Sequence, residues 1–524
     1  MAEVSLAELL RRAQLAQPED DAPWAEQRQA GTVPPESLMV TNIAEDSRRV
    51  ERGTLFVARG GRDSDGHRYI GRALAAGAVG IVGDLPPDAL PEPLPASVPY
   101  WQARDGRYAF ARLSAAFHDF PSRKLTVLGV TGTDGKTTTC TLLESILTAA
   151  KIPTGLITTI AAYIGGEALD TGFHVTTPEA WDLQSYLARM VEARCRIAVV
   201  ETTSHALDQQ RVAWVDYDVA AVTNITHEHL DWHGTYEAYL AAKARLFQAL
   251  ATSARKPGIP KAAVLNRDDS SYAPLLAVTT ADQIITYSTS GDPEANITAT
   301  GIMLTREGTA FTLHTPRGEA RVQLKLLGAY NVANALAAAG AALALDIPLE
   351  IIVAGLEAVE RVRGRMEWVY SGDFDVIVDF AHTPNALANT LELARALVRP
   401  GGRVIAVFGS AGLRDRDKRR MMGDVAAEGC ELAVVTAEDP RTEDVNAIIA
   451  EIASGLESRG AREGTDYLRV PDRAEAIATA IAQARPGDLV VTCGKAHEQT
   501  MCYGTTETPW DEFAAVRAGL ASRA

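Results

Sequence analysis

The sequence predicts an α/β protein with three domains, on three observations. Its 524 residues exceed what one hydrophobic core normally contains. Apolar, strand-like runs alternate with helical patterns in two separate stretches, which is typical of parallel sheets with crossover helices. A glycine-rich turn follows the first strand of the middle stretch. We therefore predict a small mixed α/β domain at residues 1–121, a parallel-sheet P-loop domain at 122–360 and a Rossmann-like domain at 361–524.

Composition narrows the class of protein. A net charge of −16 argues against general nucleic-acid binding, because no basic surplus is present to neutralise phosphates. The five cysteines are an odd number and widely scattered, which suits a reducing compartment. Residues 1–30 contain no basic region followed by an apolar run, so we expect no signal peptide, and no apolar run is long enough to span a membrane. We expect a cytoplasmic monomer that binds neither nucleic acid nor membrane.

The amino-terminal domain is predicted from short alternating elements. Its strands are expected at 54–58, 78–82 and 98–102, and its helices at 70–76 and 108–117. The proline-rich passage between residues 86 and 99 is interpreted as an internal loop, because a strand and a helix follow it. The domain boundary is placed near Phe120 and Pro121.

The turn within residues 125–139 has the composition of a phosphate-binding loop. Glycines let backbone N–H groups approach phosphate oxygens, and Lys136 and Thr137 open the helix that follows. In such loops the lysine reaches the β- and γ-phosphates and the hydroxyl holds Mg²⁺. Five residues rather than four separate Gly129 from Gly135, a small departure from the generic spacing. The stretch predicts binding of a nucleoside triphosphate; the alternative is an ordinary glycine turn.

Polar residues follow the predicted strands of the middle domain. The strands are expected at 125–130, 197–200, 219–222 and 262–265, and the last helices at 331–345 and 349–359. Glu201 and Asn224 come directly after two of these strands. Ligands of open α/β sheets bind at the carboxyl ends of strands, so Glu201 is well placed for a metal near the phosphates. The alternative for Glu201 is a helix-capping carboxylate.

A histidine-rich stretch follows at residues 227–233. Three histidines in seven residues, His227, His229 and His233, would suit zinc. The oxygen-rich, phosphate-adjacent setting favours Mg²⁺ instead, with one imidazole as ligand. Further on, Lys243 lies in a helical pattern. A lysine in such a position is more often solvated at the surface.

The carboxy-terminal domain repeats the alternation. Its strands are expected at 376–379, 404–408, 432–435 and 489–493, and its helices at 385–398, 446–458 and 473–484. The pattern is Rossmann-like, but no G-x-G-x-x-G sequence is present. A dinucleotide-binding role is therefore not supported.

Several short motifs occur in order along nearly the whole chain. Besides the phosphate loop Thr131-Gly132-Thr133-Asp134-Gly135-Lys136-Thr137-Thr138, they include Asp46-Ser47-Arg48, Asp65-Gly66-His67, Thr176-Thr177-Pro178-Glu179, Ser204-His205-Ala206-Leu207, Asp379-Phe380-Ala381-His382-Thr383-Pro384, Asp439-Pro440-Arg441 and Gly494-Lys495-Ala496-His497-Glu498. Together these motifs resemble those of the Mur ligase family of peptidoglycan synthesis, in which the phosphate loop reads T-G-T-N-G-K-T-T.

The resemblance implies an ATP-dependent, ADP-forming amide-bond ligase. The implied reaction adds a diamino acid to the D-Glu side-chain carboxylate of UDP-MurNAc-L-Ala-D-Glu through an acyl phosphate. The implied catalytic residues are Lys136, Glu201, His229 and Lys243, with Lys243 carbamylated to N6-carboxylysine. The implied Mg²⁺ ligands are Thr137, Glu201 and His229.

The resemblance also assigns three binding sets. The ATP set is Gly132, Thr133, Asp134, Gly135, Lys136, Thr137, Thr138, Asn331 near the adenine and Arg365 at the γ-phosphate. The set for the UDP-linked dipeptide is Ser47, Thr176, Thr177, Ser204, Gln209 and Arg211. The acceptor set is Arg414, Glu438, Asp439, Pro440, Arg441, Gly494 and Glu498.

Some positions depart from the family's pattern. Asp134 replaces the usual Asn, and Asn385 stands where Asp is usual. Leu413 stands where Asp precedes the arginine, and Ala496 stands where Gly is usual. Thr202-Thr203 replaces V-S and His227-Glu228 replaces R-D. None of these removes a group that carries catalysis in the family's scheme, and those in the last domain bear on the choice of acceptor.

The acceptor pocket contains opposing signals. Asp439 beside Glu438 attracts a bare ammonium group, which favours L-lysine or L-ornithine. Arg441 is the natural bidentate partner of a carboxylate, which favours meso-diaminopimelate. The two effects are of similar size, and we lean slightly towards a basic diamino acid. The alternative is that Asp439 and Arg441 pair with each other and leave selectivity to shape.

Two other functions stay open. One is another Mur or folylpolyglutamate-type ligase. The other is a P-loop module that binds ATP without ligation, although such a module would not need Glu201, His229 and Lys243 together.

Overall fold

Three sheets organise the chain, one in each predicted domain. The computed structural model describes residues 3–15, 25–29, 31–61, 64–169, 176–226, 228 and 230–523. The boundaries proposed at 121/122 and 360/361 fall in the connections between these sheets. Within the described ranges, no helix is both long enough and apolar enough to cross a bilayer.

The first domain is a five-stranded sheet in the order β2-β7-β6-β5-β4, in which β4 to β7 run parallel and β2 is an antiparallel edge. The strands of this sheet are β2 (Ala25–Gln29), β4 (Asn42–Ala44), β5 (Thr54–Ala58), β6 (Gly80–Gly83) and β7 (Tyr100–Ala103), and β1 (Val4–Ser5) and β3 (Met39–Val40) form a separate antiparallel pair. Its helices are α1 (Leu6–Leu15), α2 (Ile70–Ala75) and α3 (Gly106–Phe117).

The predicted elements of this domain are confirmed with small shifts. Strand β5 matches its predicted range, and all five of its residues are buried. Strands β6 and β7 begin two residues later than predicted. For β7 the cause is Pro99, which has no N–H to contribute to a ladder.

The central domain is an eleven-stranded sheet in the order β11-β10-β9-β12-β8-β13-β14-β15-β16-β17-β18. Its strands are β8 (Thr126–Thr131), β9 (Thr154–Ile157), β10 (Ala162–Ile164), β11 (Glu167–Leu169), β12 (Ile197–Glu201), β13 (Val219–Val222), β14 (Ala262–Asn266), β15 (Gln283–Ser288), β16 (Ile297–Thr305), β17 (Gly308–Thr315) and β18 (Gly318–Leu324). Its helices are α4 (Lys136–Ala149), α5 (Ala180–Glu192), α6 (Ser204–Asp208), α7 (Leu230–His233), α8 (Tyr236–Thr252), α9 (Tyr272–Val278), α10 (Ala329–Leu343) and α11 (Leu349–Ala358).

In the order of the sheet, the seven strands β9-β12-β8-β13-β14-β15-β16 run parallel, which confirms the predicted parallel sheet. Its two faces are covered by separate apolar clusters, one built on α4, α10 and α11 and the other on α5 and α8. The antiparallel ribbon β16-β17-β18 extends one edge. The sequence analysis missed this ribbon, because β16 is largely exposed after its third residue and is interrupted by a bulge near Met303.

The third domain is a six-stranded sheet in the order β19-β20-β24-β21-β22-β23, parallel except for β19. Its strands are β19 (Glu367–Ser371), β20 (Asp375–Asp379), β21 (Val404–Phe408), β22 (Leu432–Val435), β23 (Tyr467–Arg469) and β24 (Leu489–Cys493), followed by the hairpin of β25 (Thr500–Tyr503) and β26 (Thr506–Pro509). Its helices are α12 (Pro384–Leu397), α13 (Asp417–Gly429), α14 (Val445–Ser458), α15 (Arg473–Gln483) and α16 (Glu512–Arg523). The Rossmann-like prediction is confirmed.

Candidate active site

Three neighbouring strands of the central sheet end at one edge. Strands β12, β8 and β13 are adjacent and parallel. Glu201 is the last residue of β12, the glycine-rich loop follows β8, and Thr223 and Asn224 follow β13. The expectation that Glu201 lies beside the loop is met, because strand ends of a parallel sheet share an edge.

The loop requires glycine at two positions. Gly132 has a φ of +147°, and a Cβ there would lie 1.8 Å from the Thr223 hydroxyl oxygen. Gly135 has a φ of +83°, and a Cβ there would lie 2.1 Å from the side-chain Oδ1 of Asn334. The loop therefore packs tightly against the end of β13 and against α10. Helix α4 begins directly after it at Lys136 and points its free N–H groups at the loop.

Two lysines reach the same carbonyl oxygen of the loop. Lys136 Nζ donates to Gly132 O at 3.1 Å and to Thr133 O at 2.7 Å. Lys243 Nζ donates to Gly132 O at 2.7 Å. Burial, assisted by the Lys136 charge, lowers the pKa of Lys243 well below its ordinary value. Burial and the Lys136 charge therefore both disfavour the protonated form of Lys243.

The expectation that Lys243 is a solvated surface lysine is wrong. Its relative exposure is 1%. Helix α8 buries Tyr239, Leu246, Phe247 and Leu250 on one face, and position 243 falls within that face at helical spacing. This periodicity was the available signal, because the sequence shows an apolar stripe with one lysine in it.

Glu201 holds the start of α4 and the end of β9 together. Its Oε2 accepts from the Thr137 hydroxyl at 2.9 Å and from the Thr159 N–H at 3.1 Å. Its Oε1 accepts from the Thr159 hydroxyl at 3.1 Å. The helix-capping alternative is wrong, because Thr203 caps the following helix. Thr159 was not predicted as a site residue, since its contact with Glu201 joins separate strands.

The carboxylate of Glu201 and the hydroxyl of Thr137 fit a hard divalent cation. Both side chains are buried and present oxygen atoms, which Mg²⁺ prefers. Within the described part of the chain, no group of three His, Cys, Asp or Glu side chains is arranged to hold a metal by itself. His227 and His229 lie outside the described residues.

The third domain places an arginine at the phosphate loop. Arg365 Nη2 donates to the Thr137 hydroxyl at 3.4 Å, and its guanidinium lies 4.8 Å from the centre of the Phe380 ring. Arg365 Nε is buried without a hydrogen-bond partner. An arginine with an unused buried donor beside a P-loop is suited to a phosphate oxygen.

Asn331 is joined to the loop through a residue that the sequence analysis missed. Its Nδ2 donates to Leu327 O at 2.7 Å, and its Oδ1 accepts from Asn334 Nδ2 at 2.9 Å. Asn334 in turn lies against Gly135. In the loop itself, Thr133 and Thr138 are buried, and Thr133 approaches the Tyr239 hydroxyl at 3.1 Å.

Several of the residues expected to hold the dipeptide are linked by hydrogen bonds to the backbone at Glu201. The Thr177 hydroxyl donates to Glu201 O at 2.9 Å, and Arg211 Nη1 donates to Thr177 O at 3.1 Å. Arg211 also pairs with Glu179 at 3.0 Å and with the Gln209 side-chain oxygen. Ser204 is buried and its hydroxyl has no hydrogen-bond partner. Thr176 precedes Thr177, and Ser47 lies after β4 in the first domain.

The expected acceptor residues lie on loops that follow β21, β22 and β24. Arg414 is exposed, Arg441 is half-buried, and Pro440 and Gly494 are buried. Gly494 has a φ of +104°, and a Cβ there would lie 2.7 Å from Glu438 Oε2. Glycine is therefore required where this loop passes over Glu438.

The two acids of the acceptor loop are not free to attract an ammonium group. Lys495 Nζ contacts both carboxylate oxygens of Asp439 at 3.0 and 3.1 Å, and it also bonds Glu498. Burial raises the pKa of Glu438 to about 7. The alternative that Asp439 pairs with Arg441 is also wrong, because Lys495 takes that place. The sequence analysis quoted Lys495 but assigned it no partner.

Comparison with known proteins decides the family. Family models match along the chain in order: "Mur ligase family, catalytic domain" at 39–118, "Mur ligase middle domain" at 130–342 and "Mur ligase, glutamate ligase domain" at 364–496. A UDP-N-acetylmuramyl-tripeptide synthetase of Roseiflexus sp. is 46% identical over 93% of this chain and 96% of its own length. The chain belongs to the Mur ligase family. As a Mur ligase of the MurE type, it is an ATP-dependent ligase.

Other relatives agree with this placement of the Mur ligase. A UDP-N-acetylmuramoyl-L-alanyl-D-glutamate–2,6-diaminopimelate ligase of Gloeobacter violaceus is 43% identical over 92% of this chain and 94% of its own. A solved structure of a ligase with the same name superposes with a TM-score of 0.64 at 29% identity, over 100% of this chain and 99% of that one. A Mycobacterium tuberculosis folylpolyglutamate synthase, at 18% identity and a TM-score of 0.58, covers 73% of this chain and 91% of its own, and shares the fold.

Proposed function

We propose that this Mur ligase joins a diamino acid to the D-Glu side-chain carboxylate of UDP-MurNAc-L-Ala-D-Glu and releases ADP and phosphate. The observation that carries the proposal is the convergence on one loop of Lys136, Glu201, Lys243 and, from the third domain, Arg365. A module that only bound ATP would not need a second domain to deliver an arginine to its phosphate site.

The proposed reaction has two steps. An oxygen of the D-Glu side-chain carboxylate attacks the γ-phosphorus of ATP, and ADP leaves. The amine then attacks the carbonyl carbon of the acyl phosphate, and phosphate leaves as the amide forms and the amine loses a proton. A carboxylate is a poor electrophile, and phosphorylation supplies the leaving group. The protein's task is positioning and charge neutralisation.

The site residues have separate roles in these steps. Lys136 exchanges its loop carbonyl contacts for phosphate oxygens, and the buried Nε of Arg365 finds its partner on the γ-phosphate. The N-terminus of α4 adds its N–H groups to the same oxygens. Thr137 and Glu201, together with His229, would hold Mg²⁺, which neutralises phosphate charge when bound.

Lys243 acts as a carbamate in this proposal. Only a neutral amine adds to carbon dioxide, and burial beside the Lys136 charge shifts Nζ towards that form. Addition forms an N–C bond and releases one proton from the nitrogen, so the neutral amine becomes an anionic carbamate. A buried ammonium would repel a magnesium ion at the loop, whereas a carbamate would support it. Carbamylation would therefore replace a buried group that opposes magnesium binding with one that supports it.

The donor substrate is proposed to bind across the first two domains. A cleft between them is lined by Arg59, Glu179, Gln209 and Arg211. Arg211, held by Glu179 and Gln209, is aimed at a carboxylate of the dipeptide, and the Ser204 hydroxyl supplies a second donor. Ser47 is assigned to the uridine nucleotide. We place the reaction in the cytoplasm and treat the enzyme as a monomer.

We propose meso-diaminopimelate as the acceptor. Lys495 neutralises Asp439, and Glu438 is not a permanent anion at neutral pH, so the attraction for a bare ammonium group is weak. Arg441, on the loop after β22, presents a guanidinium group suited to the second carboxylate of meso-diaminopimelate, and Arg414 lies on the loop after β21. This reverses the lean towards L-lysine or L-ornithine, which counted Asp439 as a free charge. Relatives named for 2,6-diaminopimelate support the same choice.

Acceptor choice is tested by ADP release with UDP-MurNAc-L-Ala-D-Glu and each of meso-diaminopimelate, L-lysine and L-ornithine. We expect kcat/KM for meso-diaminopimelate to exceed that for the other two by about 10²-fold or more. L-lysine and L-ornithine lack the second carboxylate and would leave the guanidinium of Arg441 without its partner. Arg441→Ala should narrow that ratio. Equal or better turnover with L-lysine would contradict the assignment.

The reaction class is tested by omitting one substrate at a time. ADP release should require both the UDP-linked dipeptide and the amine, and the product should be the tripeptide. Release of ADP without the amine would favour a non-ligating ATPase. Turnover only with a tripeptide or a folate donor would favour another ligase of the fold.

A further inference from the structure

The third domain contacts the phosphate loop through a pair outside the proposed metal and γ-phosphate ligands. Asn385 Nδ2 donates to Asp134 Oδ2 at 3.0 Å. Asp134 is the loop residue before Gly135, and Asn385 is the second residue of α12. The positions are 251 residues apart in sequence, so the contact depends entirely on how the two domains meet.

Both ends of this hydrogen bond depart from the family pattern, and they depart in opposite senses. Asp134 stands where the resemblance has an asparagine, and Asn385 stands where it has an aspartate. Either arrangement gives one amide and one carboxylate, hence one donor and one acceptor.

The environment of Asp134 makes the donor from Asn385 important. Burial and the nearby Glu228 carboxylate raise the pKa of Asp134, and the hydrogen bond from Asn385 opposes that shift. Two carboxylates at the same positions would repel and would leave the acceptor without a donor. Two amides would still form one hydrogen bond, although without the charge. A single substitution that gives two amides therefore leaves a weak hydrogen bond, and one that gives two carboxylates leaves a strongly unfavourable contact.

Neighbouring contacts show what the pair holds in place. Arg365 reaches Thr137, and His382 Nε2 lies 3.8 Å from Glu228 Oε1, both between the same two domains. Lys418 donates to His382 O and so links this face to the acceptor-side helix α13. Helix α12, Arg365 and the acceptor loops belong to the third domain. A shift of that domain would move all of them relative to the phosphate loop.

We propose that Asp134 and Asn385 are positioning residues that form a reciprocal pair between the domains, one that holds the acceptor-side domain over the phosphate loop during ligation. The inference rests on the proposed function only for its activity readout. The pair acts through the placement of Arg365 and the acceptor loops, and touches no reacting atom itself.

The test compares wild type with Asn385→Asp, Asp134→Asn and the double exchange. Asn385→Asp should lower kcat by about 10-fold or more, as expected when like charges replace a charge-assisted hydrogen bond. KM for the UDP-linked dipeptide should change little, because its proposed contacts lie on the first two domains. Asp134→Asn should cost less than Asn385→Asp, and the double exchange should recover most of the lost kcat.

A matched control separates the pair from a general effect of a new charge. Asn446 is the second residue of α14 and is exposed, and its side-chain Nδ2 likewise donates to an aspartate, Asp444, at 3.4 Å. Asn446→Asp should leave kcat unchanged. Asn385→Ala removes the donor without adding charge, and Asp134→Asn should not rescue it. A double exchange no more active than Asn385→Asp would overturn the proposal, as would an Asn385→Asp variant as active as wild type.

Hydrogen exchange provides a readout that does not need ligation. In protein saturated with ADP, amides of residues 132–136 and of the first turn of α12 should exchange faster in Asn385→Asp and return towards wild type in the double exchange. If the wild-type protein fails to ligate, the proposed function is wrong. The exchange rates still show whether Asp134 and Asn385 hold the two domains together. Unchanged exchange in all variants would overturn the pair alone.

Discussion

Lys243→Ala is expected to lower kcat for ligation by about 10²- to 10³-fold, the range seen when a preorganised electrostatic group is lost. The Nζ lies at Gly132, beside Lys136, in the region where phosphate charge must be neutralised. Steady-state ADP release with saturating substrates measures the effect. The loss should fall on kcat, because Lys243 lies outside the set proposed to hold the dipeptide.

The burial of Lys243 changes what the controls must show. Alanine leaves a cavity in a buried face of α8, so part of any loss is structural. A short carboxylic acid that enters the cavity should restore activity, because its carboxylate replaces that of the carbamate. Lys243→Met keeps the chain volume and should be equally inactive but should not be rescued. Near-normal activity of the alanine variant without added acid, with a wild-type melting temperature, would contradict the carbamate role.

Glu201→Gln should also lower kcat by about 10²- to 10³-fold, since it removes a preorganised charge at the phosphate site. The amide has nearly the size of the carboxylate, but only its oxygen can accept a hydrogen bond. Both carboxylate oxygens of Glu201 accept from Thr137 and Thr159, so one side of this arrangement is lost. The Mg²⁺ concentration needed for half-maximal activity should rise, because one charged ligand is lost. A magnesium titration of ADP release measures both effects.

The matched control for Glu201 is an exposed glutamate of the same domain. Glu192 ends helix α5 and is solvent-exposed, so Glu192→Gln should leave both kcat and the magnesium requirement unchanged. If Glu201→Gln alters activity without altering the magnesium requirement, Glu201 organises the loop only through Thr137. That result would contradict its assignment as a metal ligand.

Local sequence patterns predicted most of the two parallel sheets. Strands β12, β13 and β21 are continuous apolar runs, and such runs in alternation with helices indicate strands buried on both faces. Helix α13 was missed because its first residues are mostly charged, and among its apolar side chains only Met422 and Ala426 are fully buried. The exposed ribbon was missed for the related reason that it lacks a continuous apolar run.

Contacts between distant segments lay beyond the sequence. Asp439 and Lys495 follow strands that are not neighbours in the sheet, and no local pattern shows that they meet. The choice of acceptor turned on this ion pair. Asn385 and Asp134 are likewise joined only by the approach of two domains. Burial of Lys243, in contrast, was readable from the stripe of α8.

Transfer of oxygen from the substrate carboxylate to phosphate measures the proposed chemistry most directly. Both oxygens of the D-Glu side-chain carboxylate are labelled with ¹⁸O, and the phosphate released during ligation is analysed by mass spectrometry. The oxygen that attacks the γ-phosphorus stays on phosphorus when the amine displaces phosphate from the acyl carbon. We therefore expect one labelled oxygen in phosphate for each amide formed. Amide formation with unlabelled phosphate would contradict an acyl-phosphate ligase.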